Sequence, residues 1–128
     1  MKKDEHKLKN DNFLEACNNA INGIIYSATT QRNIRIQLVL AVIVMILSLF
    51  YNIGTTEFLC LTFAVFFVIF AEMINTAVET VIDLITEEYN KKAKIAKDVA
   101  AGAVLISAIN AICMGLIIYL DKILALIK

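Results

Sequence analysis

The chain of 128 residues contains no proline and no tryptophan, and only four glycines and one histidine. Without proline nothing forces a helix to break, and with so few glycines tight turns must be rare. Long uninterrupted helices are favoured over strands and hairpins. The three cysteines, Cys17, Cys60 and Cys113, are odd in number and scattered. They form neither a disulfide frame nor a metal cluster and read as small buried hydrophobes. Twelve basic and twelve acidic residues cancel to zero net charge. A nucleic-acid binder would carry a basic face, so that class is excluded. The sequence has no G-x-x-x-x-G-K-[ST] motif and no kinase glycine-rich loop, so any nucleotide site must be of another design. The opening MKKDEHKLKNDN lacks the apolar core and cleavage site of a secretory signal, and His6 within it reads as solvated.

What is present is apolar. Hydrophobic residues make up 59% and the mean hydropathy is +0.72, too high for a soluble domain of this size. The expectation is one all-α integral-membrane domain, 1–128: an N-terminal interfacial amphipathic helix followed by three transmembrane helices. Residues 1–11 form a polar tail. From 12 to 30, apolar residues recur at 13, 14, 17, 20, 21, 24, 25 and 28, a helical period suited to the membrane interface. Spans are expected over 33–53, 56–85 and 98–126, with Asn52-Ile-Gly54 as the first turn and the charged 86–97 as the second connection. Lys and Arg crowd the N-terminal segment and 86–97, whereas the first connection has none. The positive-inside rule then predicts a multi-pass protein of the cell membrane with a cytosolic N-terminus and an outer C-terminus. In the last span Ala103, Ser107, Ala111 and Gly115 recur every four residues, a spacing that lets helices approach closely in lipid, and Asn110 could bond across such a contact. Three helices make a thin bundle, so self-association is expected.

The second span carries the chemistry. Its apolar run FLCLTFAVFFVIFA passes without a break into EMINTAVETVID. Glu72, Asn75, Glu79 and Asp83 follow one another at intervals of three, four and four, within roughly 80° of one another on a helix. Entering at Thr56, the helix reaches Glu72 after about 24 Å at ~1.5 Å per residue, just inside a hydrocarbon core ~30 Å thick. A charged carboxylate costs about 2.5–3.5 kcal/mol at mid-bilayer. A bound cation or a proton-transfer role would offset that cost. Lys97 and Asp98 open the last span at the level of Glu79 and Asp83. Carboxylates with open positions suit Mg²⁺ shared with substrate phosphates, and a lysine suits polyphosphate charge. Positioning and charge neutralisation are most of what phosphoryl transfer requires. Two other classes fit the stripe: an ion-transporting oligomer with Glu72 as cation ligand, and a non-catalytic membrane adaptor. The interrupted helices and repeats of transporters are missing.

At these residues the chain resembles the small prokaryotic diacylglycerol kinase and undecaprenol kinase family. The match is Glu72-Met-Ile-Asn75-Thr-Ala-Val-Glu79-Thr-Val-Ile-Asp83, then Ala96-Lys97-Asp98-Val-Ala-Ala-Gly-Ala-Val104. The resemblance extends over nearly the whole chain. It implies a homotrimeric inner-membrane enzyme that uses MgATP to phosphorylate a lipid alcohol. It further implies that Glu72 is the catalytic base and that Glu79 binds the metal and its nucleotide. Asn75 and Asp83 match polar residues of the active-site helix. Glu88, Tyr89 and Asn90 fall on the nucleotide-contacting loop, and Lys97 and Asp98 match the pair that meets ATP. Asn12 and Asn19 stand where the diacylglycerol-specific branch often has nucleotide contacts. One departure stands out: Gln31 occupies a position where the family commonly has a glutamate, a second metal ligand. Gln31 offers a neutral carbonyl oxygen and no charge. The Arg32-Asn33-Ile-Arg35 segment and the Lys97–Val104 run look more like the undecaprenol branch, so undecaprenol is favoured over diacylglycerol as acceptor.

Overall fold

A computed structural model describes residues 13–86 and 88–127. The polar tail 1–11 with His6, together with Asn12, lies outside the described residues. Four helices follow one another: α1 (Phe13–Thr30), α2 (Arg32–Phe50), α3 (Thr55–Ile85) and α4 (Lys91–Ile127). Among the described residues there is no strand. The last three helices are each long and apolar enough to cross a membrane.

The breaks between helices have local causes. Gln31 is extended (φ −96°, ψ 118°), and its N–H still bonds the Ser27 carbonyl at 3.0 Å, so α1 turns directly into α2. At the end of α2, Ile53 N–H bonds the Ser48 carbonyl and Asn52 N–H bonds that of Leu49, the pattern of a Schellman motif. Asn52 takes the left-handed conformation this motif needs (φ 48°), which asparagine tolerates better than most residues. Gly54, the other end of the Asn52-Ile-Gly54 turn, lies at φ −66° as the N-cap of α3. Its N–H donates to Glu57 Oε2 at 2.8 Å, the reciprocal half of a capping box.

The second connection is shorter than the charge pattern suggests. The charged stretch 86–97 reads as a loop with helical ends, and the helical part is the larger one: α4 begins at Lys91. The Asn90 side-chain oxygen accepts from the N–H groups of Lys92 (2.8 Å) and Ala93 (3.2 Å) and so caps the helix. Lys94 and Lys97 therefore stand on a helix rather than in a flexible segment.

α3 is the central element: α4 packs along it, and α1 and α2 also pack on it. Leu61, Ala64 and Val68 are buried along α3, and Ile34 of α2 is buried as well. Two ion pairs fix the antiparallel register of α3 and α4: Glu57–Lys122 (2.9 Å) at one end and Asp83–Lys97 (2.5 Å) at the other. This register sets position 72 of α3 level with 107 of α4, and both residues are buried. In the proposed small-residue face of α4, Ser107 is buried and Ala111 and Gly115 are half-buried, but Ala103 and Asn110 are exposed. The apolar side chains Phe13, Leu14, Ile21, Ile24 and Ile25 of α1 remain exposed. A face of this kind suits a lipid interface. The three cysteines are free thiols.

Candidate active site

The inner half of α3 concentrates buried polar groups where its outer half is apolar. Glu72 is 3% exposed, Thr76 4% and Asn75 8%. Thr76 disposes of its hydroxyl locally, donating to the Glu72 carbonyl at 2.9 Å, a common solution for threonine inside a helix. Glu72 and Asn75 do not. Among the described residues the Glu72 carboxylate has no hydrogen-bond or ion-pair partner. The Asn75 amide donates through Nδ2 to Glu79 Oε1 at 3.1 Å, but its buried Oδ1 accepts nothing. A buried unsatisfied acceptor costs about 1–3 kcal/mol and an unpaired charge more. The fold thus tolerates such an acceptor at Asn75, one helical turn from the buried Glu72, as it does unpartnered polar atoms at Gln37 and Thr62.

Glu79 is half-buried and Asp83 exposed, so the stripe passes from protein interior to solvent within three turns. Beyond it a depression of about 420 Å³ opens between the end of α3 and the start of α4. Asp83, Glu88, Tyr89, Asn90, Lys97 and Asp98 line it, so the site residues expected from the sequence form two groups. Glu72, Asn75 and Glu79 sit inward along α3, and the other six surround the depression. Lys97 reaches across to Asp83, whereas Asp98 turns back along its own helix to Lys94 at 2.6 Å. The side-chain oxygen of Asn90 is committed to capping α4.

Gln31 stands apart. Its side chain makes no capping bond to α2, and no hydrogen bond joins it to Glu79 among the described residues. Asn19, half a helix earlier on α1, is exposed.

Among the described residues no three His, Cys, Asp or Glu side chains gather as a metal site. Mg²⁺ does not need such a cage: one or two carboxylates with phosphate oxygens and water suffice. Glu79 presents one carboxylate, and the unpartnered Oδ1 of Asn75 beside it is a neutral oxygen ligand of the right kind. The donor set fits a metal that arrives with phosphates better than a resident one.

Residues 18–119 match the family model described as prokaryotic diacylglycerol kinase. The chain belongs to that family. It is 32% identical over 118 residues to the undecaprenol kinase of Bacillus subtilis strain 168, covering 92% of this chain and 96% of that protein. It is 37% identical over 116 residues to the diacylglycerol kinase of Synechocystis sp., covering 90% of this chain and 66% of the other. The resemblance read from Glu72–Asp83 and Ala96–Val104 therefore holds. The chain is a lipid kinase with helices that cross a membrane several times, and a nucleotide is its co-substrate. The two relatives carry different lipid names, and the two identities do not choose between them.

Two features of this end of the molecule are not among the residues the sequence pointed to. Thr76 follows Glu72 by one turn on the same face, a spacing visible in the sequence. Lys94 lines the depression beside Lys97. Its i,i+4 relation to Asp98 was legible too, had 91–97 been read as helix.

Proposed function

We propose that this lipid kinase transfers the γ-phosphoryl group of MgATP to undecaprenol in preference to diacylglycerol, at the inner end of α3. The observation that carries this reading is the pairing of an unpartnered, 3%-exposed Glu72 with a solvent-facing depression further along the same helix. The carboxylate lies where a lipid hydroxyl can reach it, and the depression lies where a water-borne nucleotide can.

In this mechanism Glu72 takes the proton from the lipid O–H as the oxygen attacks the γ-phosphorus. The bond between that phosphorus and the β–γ bridging oxygen breaks, and ADP leaves. A desolvated carboxylate held close to the hydroxyl is suited to that proton. Glu79 and Asn75 would hold the metal with its nucleotide, and Gln31, which the family resemblance places as a further ligand, would have to turn towards them to add its neutral oxygen. The chemistry a bound Mg²⁺ supplies is neutralisation of charge on the phosphates. Lys97 leaves Asp83 to meet the polyphosphate, and Asp98, Glu88, Tyr89 and Asn90 border the nucleotide. The enzyme works as a homotrimer in the cytoplasmic membrane, N-terminus in the cytosol and C-terminus outside. The cluster of lysines at the start of α4, on the same side as Arg32 and Arg35, supports that orientation.

The acceptor preference rests on the likeness of the Lys97–Val104 run and the Arg32–Arg35 segment to the undecaprenol branch. Radiolabelled ATP supplied with undecaprenol and diacylglycerol side by side, in bilayers holding the purified protein, tests it. The expected product is labelled undecaprenyl phosphate in excess. Labelled phosphatidic acid in excess would reverse the preference. Ion flux without ATP, or no labelled lipid at all, would overturn the kinase mechanism.

A further inference from the structure

The depression at the α3–α4 end contains three carboxylates, Asp83, Glu88 and Asp98, and two ammonium groups, Lys94 and Lys97. Each ammonium is already taken by a carboxylate: Lys97 by Asp83 and Lys94 by Asp98. As it stands, the depression would repel a polyphosphate. Binding one requires the lysines to exchange carboxylate for phosphate. The two pairs differ in how firmly they are held. Lys97 is 38% exposed and links two helices, whereas Lys94 and Asp98 are 60% and 62% exposed and lie one turn apart on α4. Exposed i,i+4 pairs are weakly held. Lys94 is therefore the cation most easily released to an incoming anion. It also comes first on the helix, at the solvent side of Lys97.

We propose that Lys94 is a second phosphate-binding residue of this kinase, exchanging Asp98 for the polyphosphate of the nucleotide when it binds. The inference rests on the nucleotide occupying this depression, as in the mechanism above. Lys94 and Lys97 then grip the polyphosphate from one face of α4, and the released Asp98 becomes free to border the nucleotide. Lys92, two residues earlier, does not line the depression and has no such part.

The test is equilibrium binding to purified full-length protein in lipid nanodiscs, with two probes. One is a non-hydrolysable ATP analogue with Mg²⁺; the other is inorganic tripolyphosphate without Mg²⁺. Lys94→Ala should weaken both roughly tenfold, the usual effect of losing one charge-assisted contact. Lys94→Arg should restore most of the loss, and Lys92→Ala should match wild type. The loss at Lys94 should persist for tripolyphosphate in an Asp98→Asn background, where no liberated carboxylate can account for it. Lys94→Ala within twofold of wild type for both probes would overturn the inference while leaving the nucleotide reading intact. So would a loss that vanishes in the Asp98→Asn background, or one seen with the analogue and not with tripolyphosphate. If wild-type protein bound neither probe, the nucleotide reading would fall and this inference with it.

Discussion

The two ends of the α3–α4 pair are built from similar parts and used differently. Towards the outer end Glu57, Ser48, Tyr119 and Lys122 all find partners, and the hydroxyl of Thr62 is the buried group there that does not. Glu57 serves both the Gly54 N–H and the Lys122 ammonium. The Tyr119 hydroxyl donates to the Val44 carbonyl at 2.9 Å and lies 2.9 Å from the Ser48 hydroxyl, tying α4 to α2. Tyr51 stacks a tilted ring against Tyr119, centroids 6.0 Å apart. At the inner end an ion pair of the same kind, Asp83–Lys97, again joins the two helices. Yet two to three turns further along α3 the Asn75 side-chain carbonyl stays buried and unpartnered, and Glu72 is 3% exposed. A satisfied polar cluster fastens a bundle in lipid; an unsatisfied one weakens it, and persists where a ligand completes it. On the mechanism proposed above, the outer cluster serves stability and the inner stripe chemistry.

Substitutions can break that contrast. The largest effect is expected at Glu72: Glu72→Gln should lower turnover about 10²–10⁴-fold, the usual contribution of a general base. Asn75→Ala should cost roughly tenfold or more in turnover. It should also leave the unfolding midpoint in detergent unchanged or raised, because it removes a buried acceptor that nothing satisfies. A clear drop in midpoint would mean that Asn75 is structural. Gln31→Glu should lower the Mg²⁺ concentration for half-maximal rate about severalfold, by returning a charge to the metal shell. An unchanged or higher requirement would remove Gln31 from that shell. At the outer end, Tyr119→Phe should destabilise by about 0.6–1.5 kcal/mol while turnover holds. Lys122→Ala should have the smallest effect, a slight fall in midpoint that shrinks further as salt screens the pair. Either outer variant losing turnover in proportion to the inner ones would erase the distinction.

Much of the inner end was legible in the sequence, and little of the outer. Glu72, Asn75, Glu79 and Asp83 lie on one helix, where spacing alone determines the shared face, and the length of the apolar run sets the depth of Glu72. No proline interrupts that counting. The outer lock joins Ser48 to Tyr119 and Glu57 to Lys122, residues on different helices whose meeting depends on packing register. Nothing local in the sequence encodes it. The start of α4 was missed for another reason. Lysines in series read as a loop with only its ends helical, although Asn90 is a strong N-cap and Lys94–Asp98 a favourable helical pair. Asn52 rather than Gly54 took the left-handed turn because the Schellman geometry sets the position, and asparagine happened to occupy it.

In the mechanism proposed above, Glu72 is kept buried for proton transfer and not for the fold. Unfolding midpoint and lipid phosphorylation rate, measured on the same reconstituted Glu72→Gln sample, test it most directly. A midpoint equal to or above wild type, together with loss of nearly all phosphorylation, is expected. Wild-type phosphorylation, or a rate that falls only because the midpoint has collapsed, would contradict it.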